Sequence, residues 1–175
     1  MTATTPLLRV VVLVSGRGSN LKAISARADA GELPVRIEAV VSDRVDAGAL
    51  DWARARGITT SVLSPRDFPD REAYGRALGD IVESHAPQLV VLAGFMRILS
   101  DEFVLRFSGR MLNIHPSLLP RYAGLHTHRR ALAAGDREHG ASVHFVTPEL
   151  DGGPVVLQAR VPVLPGDDED SLAAR

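Results

Sequence analysis

The chain has 175 residues, of which 45% are hydrophobic and 23% charged, and this fits one globular domain with a substantial core. A net charge of -1 provides no basic surface for nucleic acid, and the first apolar run, residues 7–14, is too short to span a bilayer. The absence of cysteine excludes disulfides, thiolate catalysis and cysteine-based zinc sites. We therefore expect a cytoplasmic protein that binds neither nucleic acid nor membranes.

The chain begins with a predicted strand, turn and helix. Residues 8–14 are a run of mainly β-branched residues, typical of a central parallel strand, and a helix is predicted from Leu21. Between them, residues 15–20 read Ser-Gly-Arg-Gly-Ser-Asn, an arrangement that directs backbone N–H groups at a phosphate. The dinucleotide-binding motif needs a third glycine where this chain has Leu21, so we favour a site for a single phosphate. A plain tight turn is the alternative.

Basic charge is carried almost entirely by arginine, and Lys22 is the only lysine. Schiff-base chemistry therefore has a single candidate. Because Lys22 falls in a predicted helix, an ordinary surface position is the simpler interpretation.

Strands and helices alternate through residue 107, which predicts a Rossmann-like α/β fold with an open, mainly parallel twisted sheet and helices on both faces. The predicted elements are strand 36–43, helix 47–56 followed by Gly57, strand 58–63, helix 71–85, strand 88–93 and helix 101–107. Asp43 lies near the position of a ribose-binding acid, but with the glycine motif broken we favour a turn and helix cap at residues 43–44. Residues 94–99 follow a strand end, where they could form a pocket for a flat ring or simply pack in the core.

A second motif lies at the next strand end, where Asn113 and His115 precede two prolines. Alternation along a strand places both side chains on one face. An amide donor beside a proton carrier suits acyl-type chemistry, in which an oxyanion needs donors and an amine exchanges a proton. A structural pair that closes a turn is the alternative.

The last part of the chain predicts a helix at 129–134, an antiparallel hairpin of strands 140–146 and 155–163, and a helix start at residues 165–172. Asp151 lies on the turn between the two strands, where it either forms an Asx turn or contacts another loop. Four histidines, at positions 115, 126, 128 and 144, could suggest zinc, but they lack a clear set of carboxylate or cysteine partners. We therefore predict no metal.

Taken together, these motifs closely resemble the phosphoribosylglycinamide formyltransferases, folate-dependent enzymes of purine synthesis. The matching segments are residues 15–21, 92–100, 113–120, 124–128, 142–146 and 150–154, in the expected order along the chain. The resemblance implies direct transfer of a formyl group from 10-formyltetrahydrofolate to the amine of phosphoribosylglycinamide without a metal. It also implies the formyltransferase fold.

The resemblance assigns roles to individual residues. His115 would shuttle protons, Asn113 would bind the formyl oxygen, and Asp151 would orient His115 and favour its charged form. The substrate phosphate would be held by Gly18, Ser19 and Asn20. The folate site would be lined by Arg71, Met96, Arg97, Ile98, Leu99, Asn113, Thr147, Pro148, Glu149, Leu150 and Asp151.

The chain departs from this family at its end, because the relatives usually continue into a longer C-terminal helix with a further Glu that contacts the substrate. We accordingly expect a single formyltransferase domain over residues 1–175 that lacks this helix. The sequence does not fix the oligomeric state, and a homodimer is one expectation.

Three other functions compete with this one. A related deformylase would be expected to carry an N-terminal regulatory domain, whereas the first strand here begins by residue 8. A formyltransferase for initiator methionyl-tRNA needs a further basic domain, which neither length nor charge provides. A binding module that senses a nucleotide would lack one of Asn113, His115 and Asp151, and all three are present.

Overall fold

The computed structural model describes residues 6–175, which form two compact units that divide after Met111. The first unit contains β1 (Leu8–Val14), α1 (Ser19–Asp29), β2 (Val35–Ser42), α2 (Gly48–Ala55), β3 (Thr59–Val62), a 3-10 turn (Pro65–Asp67), α3 (Arg71–Ser84), β4 (Leu89–Leu92) and α4 (Asp101–Arg106). The second contains α5 (Thr127–Ala133), β6 (Glu138–Phe145), β7 (Val155–Pro162) and α6 (Glu169–Ala174). Strand β5 (Met111–His115) starts at the last residue of the first unit.

The first unit is built on parallel strands in the order β3-β2-β1-β4. Residues Val10–Val14 of β1 are at most 2% exposed, as expected for a central strand that is covered on both faces. The chain alternates strand and helix throughout this unit, which confirms the parallel part of the predicted fold.

Helix boundaries in the first unit follow local sequence signals. The Asp70 carboxylate accepts a hydrogen bond from the Ala73 N–H and caps α3. Gly57 adopts φ 70° just after α2, where a left-handed residue ends the helix. Helix α3 buries Leu78 and Val82 at helical spacing.

The second unit is antiparallel, with β6 paired to β5 on one side and β7 on the other. The predicted hairpin is therefore confirmed, although β6 begins at Glu138, two residues before the predicted start. Asp168 caps helix α6, because its side chain and the Ser171 side chain form a reciprocal capping box. The prediction of one domain over residues 1–175 stays a prediction.

Candidate active site

The loop after β1 ends in a left-handed glycine that caps α1. Gly18 has φ 75°, and the Lys22 N–H donates to its carbonyl as the first helical bond. Helix α1 thus begins at Ser19, two residues before the predicted start, because Gly18 turns the chain so that Ser19 and Asn20 enter the first turn. The first N–H groups of a helix have no intrahelical acceptor, so this turn can receive a phosphate oxygen.

Packing against α2 fixes the position of this loop. A Cβ on Gly18 would lie 2.6 Å from the Cβ of Ala49, so no larger residue fits without movement. The Ala49 N–H also donates to the Gly16 carbonyl at 3.1 Å. Leu21, which replaces the third glycine, is fully buried and fills the core instead.

A cavity of about 550 Å³ lies in the first unit, within the size range of small-molecule sites. Its lining residues are Pro65, Phe68, Pro69, Asp70, Arg71, Tyr74, Met96, Arg97 and Ile98. Four of the five predicted folate residues of this unit are therefore brought together. The fifth, Leu99, is 8% exposed and does not line the cavity.

Ser15 ties this cavity wall to the end of β1. Its N–H donates to the Gly94 carbonyl at 3.1 Å, and its hydroxyl accepts a bond from the Met96 N–H at 2.8 Å. Ser15 is buried, so these bonds are protected from water. They explain how residues 94–98 can expose the Met96 and Ile98 side chains and still keep a defined backbone.

In the second unit, pairing of β5 with β6 places Asn113 opposite His144. The Nδ1 of His144 lies 2.9 Å from the Phe145 carbonyl, which can only accept, so this nitrogen carries the hydrogen. The Nε2 of His144 lies 3.1 Å from the Asn113 amide nitrogen and 3.5 Å from Asp151 Oδ1. The Asn113 amide also lies within reach of Asp151 Oδ1, at 3.5 Å.

His115 lies on the same strand and faces the same carboxylate. Its Nδ1 is 3.5 Å from Asp151 Oδ2, and its Nε2 donates to the Tyr122 carbonyl at 2.9 Å. Both ring nitrogens of His115 thus face acceptor oxygens.

Asp151 connects the other members of this cluster. Its side chain is 8% exposed, its backbone is left-handed at φ 51°, and the Gly124 N–H donates to Oδ2 at 2.8 Å. Burial raises the pKa of Asp151, but the contact with His144, the Gly124 N–H and the charge of His115 outweigh burial, so this pKa lies below its ordinary value. The Gly124 bond is the firmest of these contacts, because both rings are 3.5 Å from the carboxylate. The carboxylate is therefore ionised at neutral pH.

The loop before Asp151 has its own internal bonds. The Thr147 hydroxyl donates to the Glu149 carbonyl at 3.3 Å, and the Gly152 N–H donates to the same carbonyl at 3.2 Å. Pro148, Glu149 and Leu150 are exposed. The loop can thus offer its side chains to a ligand while it places Asp151 inward.

His144 is the member of the cluster that the sequence did not identify, since it entered only as a weak zinc candidate. Its signal was the pairing of two strands, because the residue opposite Asn113 in the β5–β6 ladder contacts it directly. Among residues 6–175, no group of three or more His, Cys, Asp or Glu side chains could hold a metal ion.

The role of Asp43 in the structure also differs from the predicted turn and helix cap. The chain does bend after β2, but Ala47 caps α2 without a side-chain bond. The Asp43 side chain is instead buried and accepts a hydrogen bond from Arg97 Nε at 2.6 Å.

No helix in the part of the chain that the structure describes has the length and apolar character needed to cross a membrane.

Comparison with known proteins assigns the chain to a family. The family model described as "Formyl transferase" matches residues 8–175. The phosphoribosylglycinamide formyltransferase of Escherichia coli (strain K12) is 56% identical over 168 residues, which are 96% of this chain and 79% of that protein. The Haemophilus influenzae protein of the same name is 46% identical over 167 residues, 95% of this chain and 79% of that protein.

Solved structures agree with the sequence relatives. A phosphoribosylglycinamide formyltransferase from Coxiella burnetii has a TM-score of 0.91 at 48% identity, covering 96% of this chain and 79% of its own. This similarity confirms the predicted formyltransferase fold. The chain belongs to the formyl transferase family, in the group of the phosphoribosylglycinamide formyltransferases.

Proposed function

We propose that this chain transfers the formyl group of 10-formyltetrahydrofolate to the amine of 5'-phosphoribosylglycinamide, giving formylglycinamide ribonucleotide and tetrahydrofolate in de novo purine biosynthesis. The observation that carries the proposal is the position of the buried Asp151 carboxylate, which contacts both the Asn113 amide and the His115 ring. This arrangement supplies an amide donor and a proton carrier within one charged cluster, in a chain of the formyl transferase family.

In the proposed reaction the substrate amine attacks the formyl carbon, so that a new C–N bond forms and the formyl oxygen becomes an oxyanion. The Asn113 amide donates a hydrogen bond to that oxygen. To do so it gives up its long contact with Asp151, at 3.5 Å. The bond from the formyl carbon to N10 then breaks. One proton leaves the amine and one arrives at N10.

His115 is the proposed carrier of that proton. In this structure Nε2 is bonded to the Tyr122 carbonyl, so proton transfer through Nε2 requires that bond to open. Asp151 faces Nδ1 and stabilises the imidazolium while it carries the proton. Each proton and charge is assigned to a side chain, and the proposal calls on no metal ion.

The substrate phosphate is proposed to bind at residues 18–20. Gly18 provides the turn, and the first-turn N–H groups of α1 provide donors at the positive end of an 11-residue helix. Ser19 is exposed and its hydroxyl adds a further donor. The chain's net charge of -1 gives no general attraction for anions, so local donors of this kind are needed.

The folate is proposed to use the cavity beside α3. Met96 and Ile98 are 65% and 63% exposed and offer apolar contacts to a flat ring. Arg71 and Arg97 line the same cavity and match the glutamate carboxylates that end a folate. Leu99 and loop residues 147–151 remain proposed folate contacts. A cytoplasmic location and a homodimer also remain proposals.

The test is to follow folate absorbance in mixtures of the protein and 10-formyltetrahydrofolate, with and without 5'-phosphoribosylglycinamide (the ribotide). The product is identified by mass spectrometry. We expect tetrahydrofolate to form only when the ribotide is present, with one formylated ribotide for each folate consumed. Folate turnover that releases formate and ignores the ribotide would contradict the proposal and favour a deformylase.

A further inference from the structure

Asp43 is a buried carboxylate to which the proposed reaction gives no role. Its side chain is 0% exposed and forms an ion pair with Arg97, whose side chain is 46% exposed. A buried carboxylate is costly unless it is paired, and a chain keeps such a group only where the pairing is useful or the loss is offset elsewhere. The partner lies 54 residues away, in the segment that walls the cavity.

The geometry of the pair leaves most of Arg97 available. Asp43 Oδ2 accepts from Nε, at 2.6 Å, and among residues 6–175 this is the one ion pair that Arg97 makes. A guanidinium has five N–H donors in a rigid plane, so a carboxylate held at Nε fixes that plane and leaves Nη donors for a second anion. Arg97 lines the cavity.

The other polar groups near Asp43 include the buried hydroxyl of Tyr74. Within the described part of the chain, neither Asp43 Oδ1 nor the buried Tyr74 hydroxyl has a hydrogen-bond partner. Burial, and then the charge of Asp43, hold the pKa of Tyr74 well above its ordinary value, so Tyr74 stays neutral. Arg97 is thus the group that forms a hydrogen-bonded ion pair with this carboxylate.

We propose that Asp43 is a positioning residue for folate binding: it holds Arg97 through Nε so that the Nη groups meet the glutamate carboxylates of the folate. The inference rests on the proposed function, since it takes the cavity to be the folate site. It adds a residue that touches no substrate and acts through Arg97.

The rival explanation is that Asp43 only supports the fold. The two roles differ in what they predict for ligands with and without carboxylates. A positioning role affects only a ligand that Arg97 binds, whereas a structural role affects stability and all ligands together.

The test measures binding by isothermal titration calorimetry for wild type and Asp43→Asn, a variant that keeps the shape and removes the charge. The probes are 5-formyltetrahydrofolate, its pteroate analogue without glutamate, and the ribotide. We expect about a 10-fold weaker affinity for 5-formyltetrahydrofolate, the equivalent of one charge-assisted bond, and changes below about 2-fold for the other probes. The melting temperature should stay close to that of wild type, because the freed Arg97 is half exposed and can be hydrated.

Asp46→Asn is the matched control, because Asp46 lies three residues after Asp43, pairs with Arg44 and is 65% exposed. This control should leave the affinities for all three probes unchanged. Arg97→Gln should lower the affinity for 5-formyltetrahydrofolate by at least as much as Asp43→Asn does. The double variant should bind this folate no more weakly than Arg97→Gln alone.

Three results would overturn this inference but not the proposed function. They are equal affinity of wild type and Asp43→Asn for 5-formyltetrahydrofolate, additive losses of affinity in the double variant, and equal losses of affinity for all three probes. Wild-type protein that binds neither folate would overturn the proposed folate site together with this inference.

Discussion

The loop after β1 and the cluster around Asp151 present their polar groups in opposite ways. The first relies on backbone N–H groups at the start of α1, next to an exposed Ser19. The second relies on side chains that are buried and already bonded to one another, with His115 and Asp151 both less than a tenth exposed. In the first region a ligand would supply the hydrogen-bond acceptors, whereas in the second the side chains already contact one another.

This difference matches the two tasks that we propose. A phosphate carries its own charge and several acceptor oxygens, so backbone N–H donors in contact with water can bind it. Proton transfer and oxyanion stabilisation need groups of fixed orientation and protonation, which a buried network supplies. Changes in the first region should therefore affect binding, and changes in the second should affect turnover.

The largest expected effect is that of Asp151→Asn on turnover. The amide can still accept from the Gly124 N–H but removes the charge that faces His115, so kcat should fall by about 10²- to 10⁴-fold, the usual range for acid–base groups. Ribotide affinity should change by less than about 3-fold, since the phosphate contacts are unaltered. Steady-state kinetics with both substrates provides the measurement.

Glu138→Gln is a suitable control for that variant, because Glu138 forms an exposed ion pair with Arg160 in the same unit. It should have wild-type kinetics. If Asp151→Asn instead keeps wild-type turnover across neutral pH, the proposed coupling to His115 is wrong.

A smaller effect is expected for Gly18→Ala in the first region. The new Cβ meets Ala49 at 2.6 Å, and alanine is strained at φ 75°, so the loop must shift. Ribotide affinity should fall by about 10-fold, and the free energy of unfolding by about 1–3 kcal/mol. Equilibrium binding and urea denaturation measure the two quantities.

Gly16→Ala separates these causes, because a Cβ at Gly16 meets nothing within 4 Å. This variant should bind the ribotide much as wild type does. A Gly18→Ala protein that loses stability but binds the ribotide normally would place the phosphate elsewhere.

The smallest effect concerns stability and pH. Because the pKa of Asp151 is lower in the folded protein, its carboxylate stabilises the fold above the ordinary aspartate pKa of about 3.9. This contribution is lost as the pH falls through the lower folded value. The difference in unfolding free energy between wild type and Asp151→Asn should therefore shrink between pH 5 and more acidic conditions, as measured by urea denaturation. A difference that stays constant over this range would show that the pKa is not lowered.

Much of the fold could be predicted because its signals are local. Helix α3, predicted at 71–85, spans Arg71–Ser84, and Gly57 follows the end of α2 as predicted. The start of α1 was missed because its cap is a left-handed glycine, which has no side chain to indicate it. The structure instead shows the cap in the φ angle of Gly18.

The candidate site was predictable only in part, because its contacts join distant segments. Asn113 and His115 could be paired by strand alternation, but His144 needed the register of β5 with β6. Asp43 could not be linked to Arg97, 54 residues later, by any pattern within one strand or helix. Local periodicity contains no information on which loop a buried charge will meet.

Lys22 has a practical consequence for measuring these ligands. It is exposed in the first helical turns of α1, and its N–H bonds to Gly18, the residue that starts the proposed phosphate site. Since it is the only lysine, an amine-reactive fluorophore would have one side-chain target, apart from the α-amino group. A dye at that position would report ribotide binding as a change in emission, without cysteine engineering.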